Sequence, residues 1–100
     1  MATTSKALFR GAASTSSTTL YTTPSATTAV VTNVVVTNTA ASAGTFTLNL
    51  NGTALASAVS VAANSITTID LKQTLAASQT ITGLASATTI NFHISGVEIA

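Results

Sequence analysis

Six side chains of this 100-residue sequence are charged or titrate near neutral pH: Lys6, Arg10, Asp70, Lys72, His93 and Glu98. Acid–base chemistry needs paired titratable groups, and the two carboxylates fall on separate expected strands with no motif around either. Ser95, His93 and Asp70 could be written as a nucleophile–base–acid set, because positions i and i+2 share a strand face. No G-x-S-x-G elbow and no glycine-rich oxyanion loop accompany them. With one His among twelve Ser, such a set arises by chance, and His93 reads as a surface or interface histidine. No catalytic residue is expected, and the chain is not expected to be an enzyme.

Metals and cofactors fare no better. Zinc takes three or four His, Cys or carboxylate ligands, and the sequence holds one His and no Cys. Asn49 and Asn51 offer neutral amides, short of the acidic oxygens of a calcium loop. No phosphate loop, dinucleotide fingerprint or kinase signature is present, so neither a metal nor a cofactor is expected. Asn51–Gly52–Thr53 is formally an N-glycosylation sequon, yet a hairpin role accounts for it. A Lys–Asn isopeptide bond from Lys6 or Lys72 is not favoured by any spacing. Tyr21 is the one candidate for stacking a sugar ring, the aromatic contact that carbohydrate-binding modules use.

Composition narrows the remaining classes. Ala, Thr and Ser fill 53 of 100 positions, and 5% of residues are charged, against roughly 25% in an ordinary domain. Coiled coils and solvent-exposed helices need the missing Glu, Lys and Arg. Three dispersed cations at net charge +1 give no basic patch for nucleic acid. An apolar fraction of 46% and a mean hydropathy of +0.55 argue against polar disorder. No apolar run is long enough for a membrane-spanning helix. Ala7–Leu8–Phe9, the apolar stretch between Lys6 and Arg10, is too short for a secretory leader. Neither nucleic acid nor membrane is expected as a partner.

The elements that must position these residues read as β throughout. Thr28–Asn38 holds five Val, a composition of pleated sheet. Thr45–Asn51 alternates, with Phe46, Leu48 and Leu50 on one face. Asn51–Gly52 then suits a two-residue type I′ hairpin turn. Further strands are expected over Thr53–Val61, Ile66–Leu71, Gln79–Leu84 and Thr89–Ile94, with Lys72–Ser78 as a loop or one helical turn. The apolar parity of the last strand changes after Gly96, so a bulge is expected near Ser95–Gly96. About seven or eight short strands separated by regular turn signals predict a single all-β domain, an antiparallel β-sandwich of immunoglobulin-like or jelly-roll-like type. Residues 20–100 are expected to form that sandwich. Residues 1–19 are expected to be an N-terminal arm or a first edge strand, followed by a Ser/Thr linker. The expected core is Val34, Val36, Phe46, Leu48, Leu50, Val59, Val61, Ile69, Leu71, Ile81, Ile90, Phe92 and Ile94.

Natural sheets guard their open edges with Lys, Pro, inward charges or bulges. One Pro and five charges cannot guard a sandwich, so the edges are expected either to be covered in an assembly or to be unusually bulged. The arm offers candidate partner contacts in Lys6, Leu8, Phe9 and Arg10, with the apolar pair filling pockets and the cations facing acidic groups.

Four segments resemble a known family: KALFRGAAS (Lys6–Ser14), LYTTPSATTAVVTNVVVTNTAASAGTFTLNLNG (Leu20–Gly52), IDLKQTLAASQTITG (Ile69–Gly83) and INFHISGVEIA (Ile90–Ala100). They are similar to small virion proteins of tailed bacteriophages, particularly of actinobacterial hosts, often assigned as capsid decoration proteins. The shared traits are Thr/Val strands, a Tyr-Thr-x-Pro strand entrance and a closing HISGVEI strand. The resemblance implies a protein made in the host cytoplasm that ends on the virion, at the capsid surface. It would bind the major capsid protein at a local symmetry axis, commonly as a trimer, and reinforce the shell. Tail and head-fibre subunits share these features and are the first alternative; a surface adhesin or carbohydrate-binding module is the second.

Overall fold

The computed structural model describes residues 2–100, so Met1, the first residue of the expected arm, lies outside the described residues. Eight strands follow in order: β1 (Thr3–Ala12), β2 (Thr18–Thr22), β3 (Thr28–Asn38), β4 (Gly44–Leu50), β5 (Thr53–Val61), β6 (Ser65–Leu75), β7 (Thr80–Ala85) and β8 (Ile90–Ile99). No helix occurs among the described residues, and Lys72–Leu75 continues β6 rather than forming a helical turn. Two four-stranded antiparallel sheets result, ordered β1-β8-β3-β6 and β2-β7-β4-β5. The chain pairs with itself as one long hairpin, β1 with β8, β2 with β7, β3 with β6 and β4 with β5. That order is a jelly roll, which decides between the two sandwich types expected.

The tip of the long hairpin is Asn51–Gly52, with φ of +49° and +79°. Both central residues of a type I′ turn need positive φ. Leu50 and Thr53 are directly paired across it.

β1 settles the reading of the N-terminal segment. It is an edge strand of its own sandwich, paired along its length with β8. The Ser/Thr stretch after it is likewise drawn in, because β2 starts at Thr18.

Each of the four edge strands is bulged. Leu8 is the extra residue in β1, and Leu20 is the extra residue in β2. β5 carries two, one opposite Thr47 and one at Leu55. β6 carries one over Leu71–Lys72. In the first sheet these irregularities fall on one line. The Leu8, Thr32 and Leu71–Lys72 bulges flank Ser95–Gly96, while β8 itself runs without an extra residue. The bulge expected in β8 therefore sits in its neighbours, and the even residues of β8 remain the buried set from Ile90 through Gly96. Thr side chains bond across the irregularities of both sheets: Thr32 Oγ1 donates to the Ser95 carbonyl at 3.1 Å in the first, and Thr47 Oγ1 accepts from the Ala58 amide at 3.0 Å in the second.

The core lies between the sheets, with Phe46 of β4 and Phe92 of β8 meeting edge to face at 6.0 Å. Nine of the thirteen expected core residues are buried, counting Val34, Val36, Phe46, Leu48, Val61, Ile81, Ile90, Phe92 and Ile94. Leu50, Ile69 and Leu71 are partly buried against that cluster. Val59 is the exception, 39% exposed. It pairs with Phe46, but β5 is an edge and nothing lies beyond it. Leu8, Tyr21, Val31 and Leu75 are buried without having been expected. The Thr32 bulge explains Val31, since it turns both Val31 and Val34 inward.

Two outcomes test this architecture. A Cβ at Gly96 would lie 2.3 Å from the Val30 carbonyl oxygen and 2.9 Å from Leu8 Cδ1. Gly96→Ala should therefore destabilise by about 1–3 kcal/mol through overpacking, and an unchanged urea midpoint would contradict this close approach. Phe92→Ala should cost about 3–5 kcal/mol; a loss under ~1 kcal/mol would place the ring outside the core.

Candidate functional site

Two polar clusters connect separate elements. The first spans the open side of the sandwich between edge strands β1 and β2. Even residues of β8 point inward, which carries the Glu98 carboxylate between the sheets. The Tyr21 hydroxyl of β2 donates to Glu98 Oε2, and Lys6 Nζ of β1 lies 3.5 Å from Glu98 Oε1. Lys6 faces inward because its register partner is Gly96, itself on the inner side. Burial, then the hydrogen bond and negative charge of Glu98, hold the Tyr21 phenol well above the ordinary tyrosine value, with an opposing pull from the Thr23 hydroxyl. A phenol so held is a hydrogen-bond donor, not a base. The cluster joins one sheet to the other and plugs the gap between them.

The second cluster centres on Asn38, 3% exposed at the end of β3. Its Nδ2 donates to the Ser42 and Val61 carbonyls at 2.9 and 3.3 Å. Its Oδ1 accepts from the Ala40 amide at 3.0 Å. One side chain thereby fastens the β3–β4 and β5–β6 connections at one end of the sandwich.

The outer face of the β1-β8-β3-β6 sheet gathers the remaining candidates. Ser95 sits opposite Ala7 and Asn33, and Asn33 sits opposite Asp70. His93 occupies the next row between Arg10 and Val35. Ser95 and Asp70 are thus two strand spacings apart, about 9–10 Å, and no hydrogen bond joins His93 to either among the described residues. These three residues share a face without forming a relay. No group of three or more His, Cys, Asp or Glu gathers among the described residues.

The four candidate contact residues divide. Leu8 is 7% exposed and belongs to the core, and Phe9 is partly buried against it. The bulge at Leu8 turns both inward, so they pack against their own sandwich. Lys6 is paired with Glu98, and Arg10 is exposed on the outer face. Tyr21, the one candidate sugar platform, is 9% exposed with its ring in the core, so it offers no open face for a sugar ring. No protein-family model and no curated protein matches this sequence.

Tyr21 is the single tyrosine, so its titration can be followed directly. Because its folded value is raised, its contribution is fully present below the unfolded value of about 10 and is lost as pH climbs through the folded one. Unfolding free energy should therefore fall as pH rises above about 10 towards the folded value, and Tyr21→Phe should remove this part of the fall. The same substitution should cost about 1–3 kcal/mol at neutral pH, leaving an inward carboxylate short of a donor. A variant with parental stability and an unaltered alkaline profile would show the hydrogen bond to be idle.

Proposed function

We propose that the chain is a non-enzymatic structural protein of a tailed-phage virion, a decoration protein seated on the outer surface of the major capsid shell. The observation that carries this reading is the outer face of the β1-β8-β3-β6 sheet. Its rows are small and polar at the centre and carry charge on the edge strands: Ala7, Ser95 and Asn33 run out to Asp70, and Ala12, Asn91 and Thr37 run out to the exposed Ile66. Interface centres are depleted of charge, and a flat face of this kind suits lasting contact with another protein. Arg10, exposed on that face, offers an acidic partner group one salt-sensitive contact. The jelly-roll order also supports the reading, because virus capsid domains are among the proteins that use it. The resemblance of the four segments to phage decoration proteins adds the partner, the major capsid protein, and the common trimeric state.

Gold-labelled antibody against the chain should mark the heads of intact virions, and heads lacking the chain should burst at a lower temperature. Label confined to tails or fibres would overturn the capsid placement in favour of a tail or fibre subunit. Absence of the chain from purified particles would overturn the virion reading altogether.

A further inference from the structure

Asparagine followed by a residue without a side chain can cyclise on the next main-chain nitrogen, and the hairpin tip presents that arrangement in the open. The sequence has six asparagines, followed in turn by Val34, Thr39, Leu50, Gly52, Ser65 and Phe92. Five of the six therefore have a Cβ shielding the following nitrogen. Asn51 alone does not.

The surroundings differ as much as the sequence. Asn38 is held at both ends of its amide, and Asn91 Nδ2 donates to the Thr89 carbonyl at 3.4 Å. The Asn51 side chain makes no hydrogen bond among the described residues, and both Asn51 and Gly52 are exposed. A Cβ built on Gly52 would meet nothing within 4 Å, so the space beside Gly52 is open. The one anchor is the Asn51 amide, which donates to the Thr80 carbonyl at 2.6 Å. That bond lies before the Asn51 Cα. The bond rotation that brings the Gly52 nitrogen to the side chain lies after it.

We propose that Asn51 is a site of spontaneous succinimide formation and deamidation in the folded protein, an ageing mark written on the hairpin tip. The Gly52 nitrogen gives its proton to solvent base and attacks Asn51 Cγ. The new bond closes a five-membered ring, the Cγ–Nδ2 bond breaks, and Nδ2 takes a solvent proton and leaves as ammonia. Water then opens the ring at either carbonyl, leaving an aspartyl residue or an isoaspartyl link in which the main chain runs through Cβ and Cγ. One water enters and one ammonia leaves, with no oxidant or metal. Reaching the ring geometry requires a crankshaft flip of the peptide joining Asn51 to Gly52 while Leu50 and Thr53 stay paired. Glycine accepts the φ that this demands, and the strain left on Asn51 sets the rate. The isoaspartyl product lengthens the main chain inside a two-residue turn and places a negative charge on a protein of net charge +1.

The intact chain, incubated at mildly alkaline pH without denaturant, tests this by peptide mapping and by isoaspartyl methyltransferase labelling. The expected result is conversion at Asn51, faster at higher pH, with the other five asparagines unchanged. Asn51→Gly keeps a turn that tolerates positive φ and should abolish the methyltransferase signal without loss of fold. The same chain unfolded in urea calibrates the intrinsic reactivity of the segment. Conversion of Asn51 in urea but not in the folded protein would mean that the turn protects it and would overturn the proposal. So would folded-state conversion at Asn64 ahead of Asn51.

Discussion

An antiparallel sandwich that stays open has four edge strands, and each presents unpaired amides and carbonyls to any passing chain. Five charged residues cannot shield four edges, and here they are not spread among them. Lys6 and Arg10 lie on β1, and Asp70 and Lys72 on β6, the two edges of a single sheet. The edges of the other sheet, β2 and β5, carry no charge at all. What all four share is a bulge. A bulge interrupts the ladder and increases local twist, so a second strand cannot lie flat against it. Irregular backbone takes the place of electrostatic protection.

Those irregularities also determine what is inside. In β1, one extra residue turns Leu8 and Phe9 inward together, converting an apparently exposed apolar knot into core. In β3, the Thr32 bulge turns both Val31 and Val34 inward. Between them β8 runs straight, and Gly96 allows the Val30 carbonyl and Leu8 to approach where any side chain would intrude. The abundance of threonine fits this arrangement. Its branched Cβ suits a strand, and its hydroxyl supplies a donor or acceptor where a bulge has removed one, as Thr32 and Thr47 show.

The Tyr21–Glu98–Lys6 cluster follows the same logic from the polar side. An inward charge on or beside an edge strand opposes further pairing, but a carboxylate between two sheets must be compensated. A phenol from the opposite sheet and an ammonium from the adjacent strand do so. Three titratable groups thereby become part of the scaffold, and the outer sheet face is left with small polar residues at its centre and its charges, Arg10 and Asp70, on the edge strands. The proposed contact with a capsid shell draws on that uncharged centre.

Much of this was legible in the sequence because it depends on local rules. Alternation in TFTLNLN gave β4 and its inward face, the β-branched run gave β3, and Asn51–Gly52 specified a turn that only positive φ can make. Scarce charge already announced that the edges would be either covered or bulged. Other features could not be read locally. Side-chain parity survives only as far as the next bulge, and a bulge is defined by two strands, so Leu8, Val31 and the straight course of β8 awaited their partners. Tyr21 and Glu98 are 77 positions apart, and no spacing rule connects them. Sequence by itself determined that this chain would be an antiparallel β-sandwich, because propensity and period act between near neighbours. Tertiary structure alone decided the jelly-roll order, the half-buried Tyr–Glu–Lys link and which face remained free, because register and sheet-to-sheet contact arise only between segments distant along the chain.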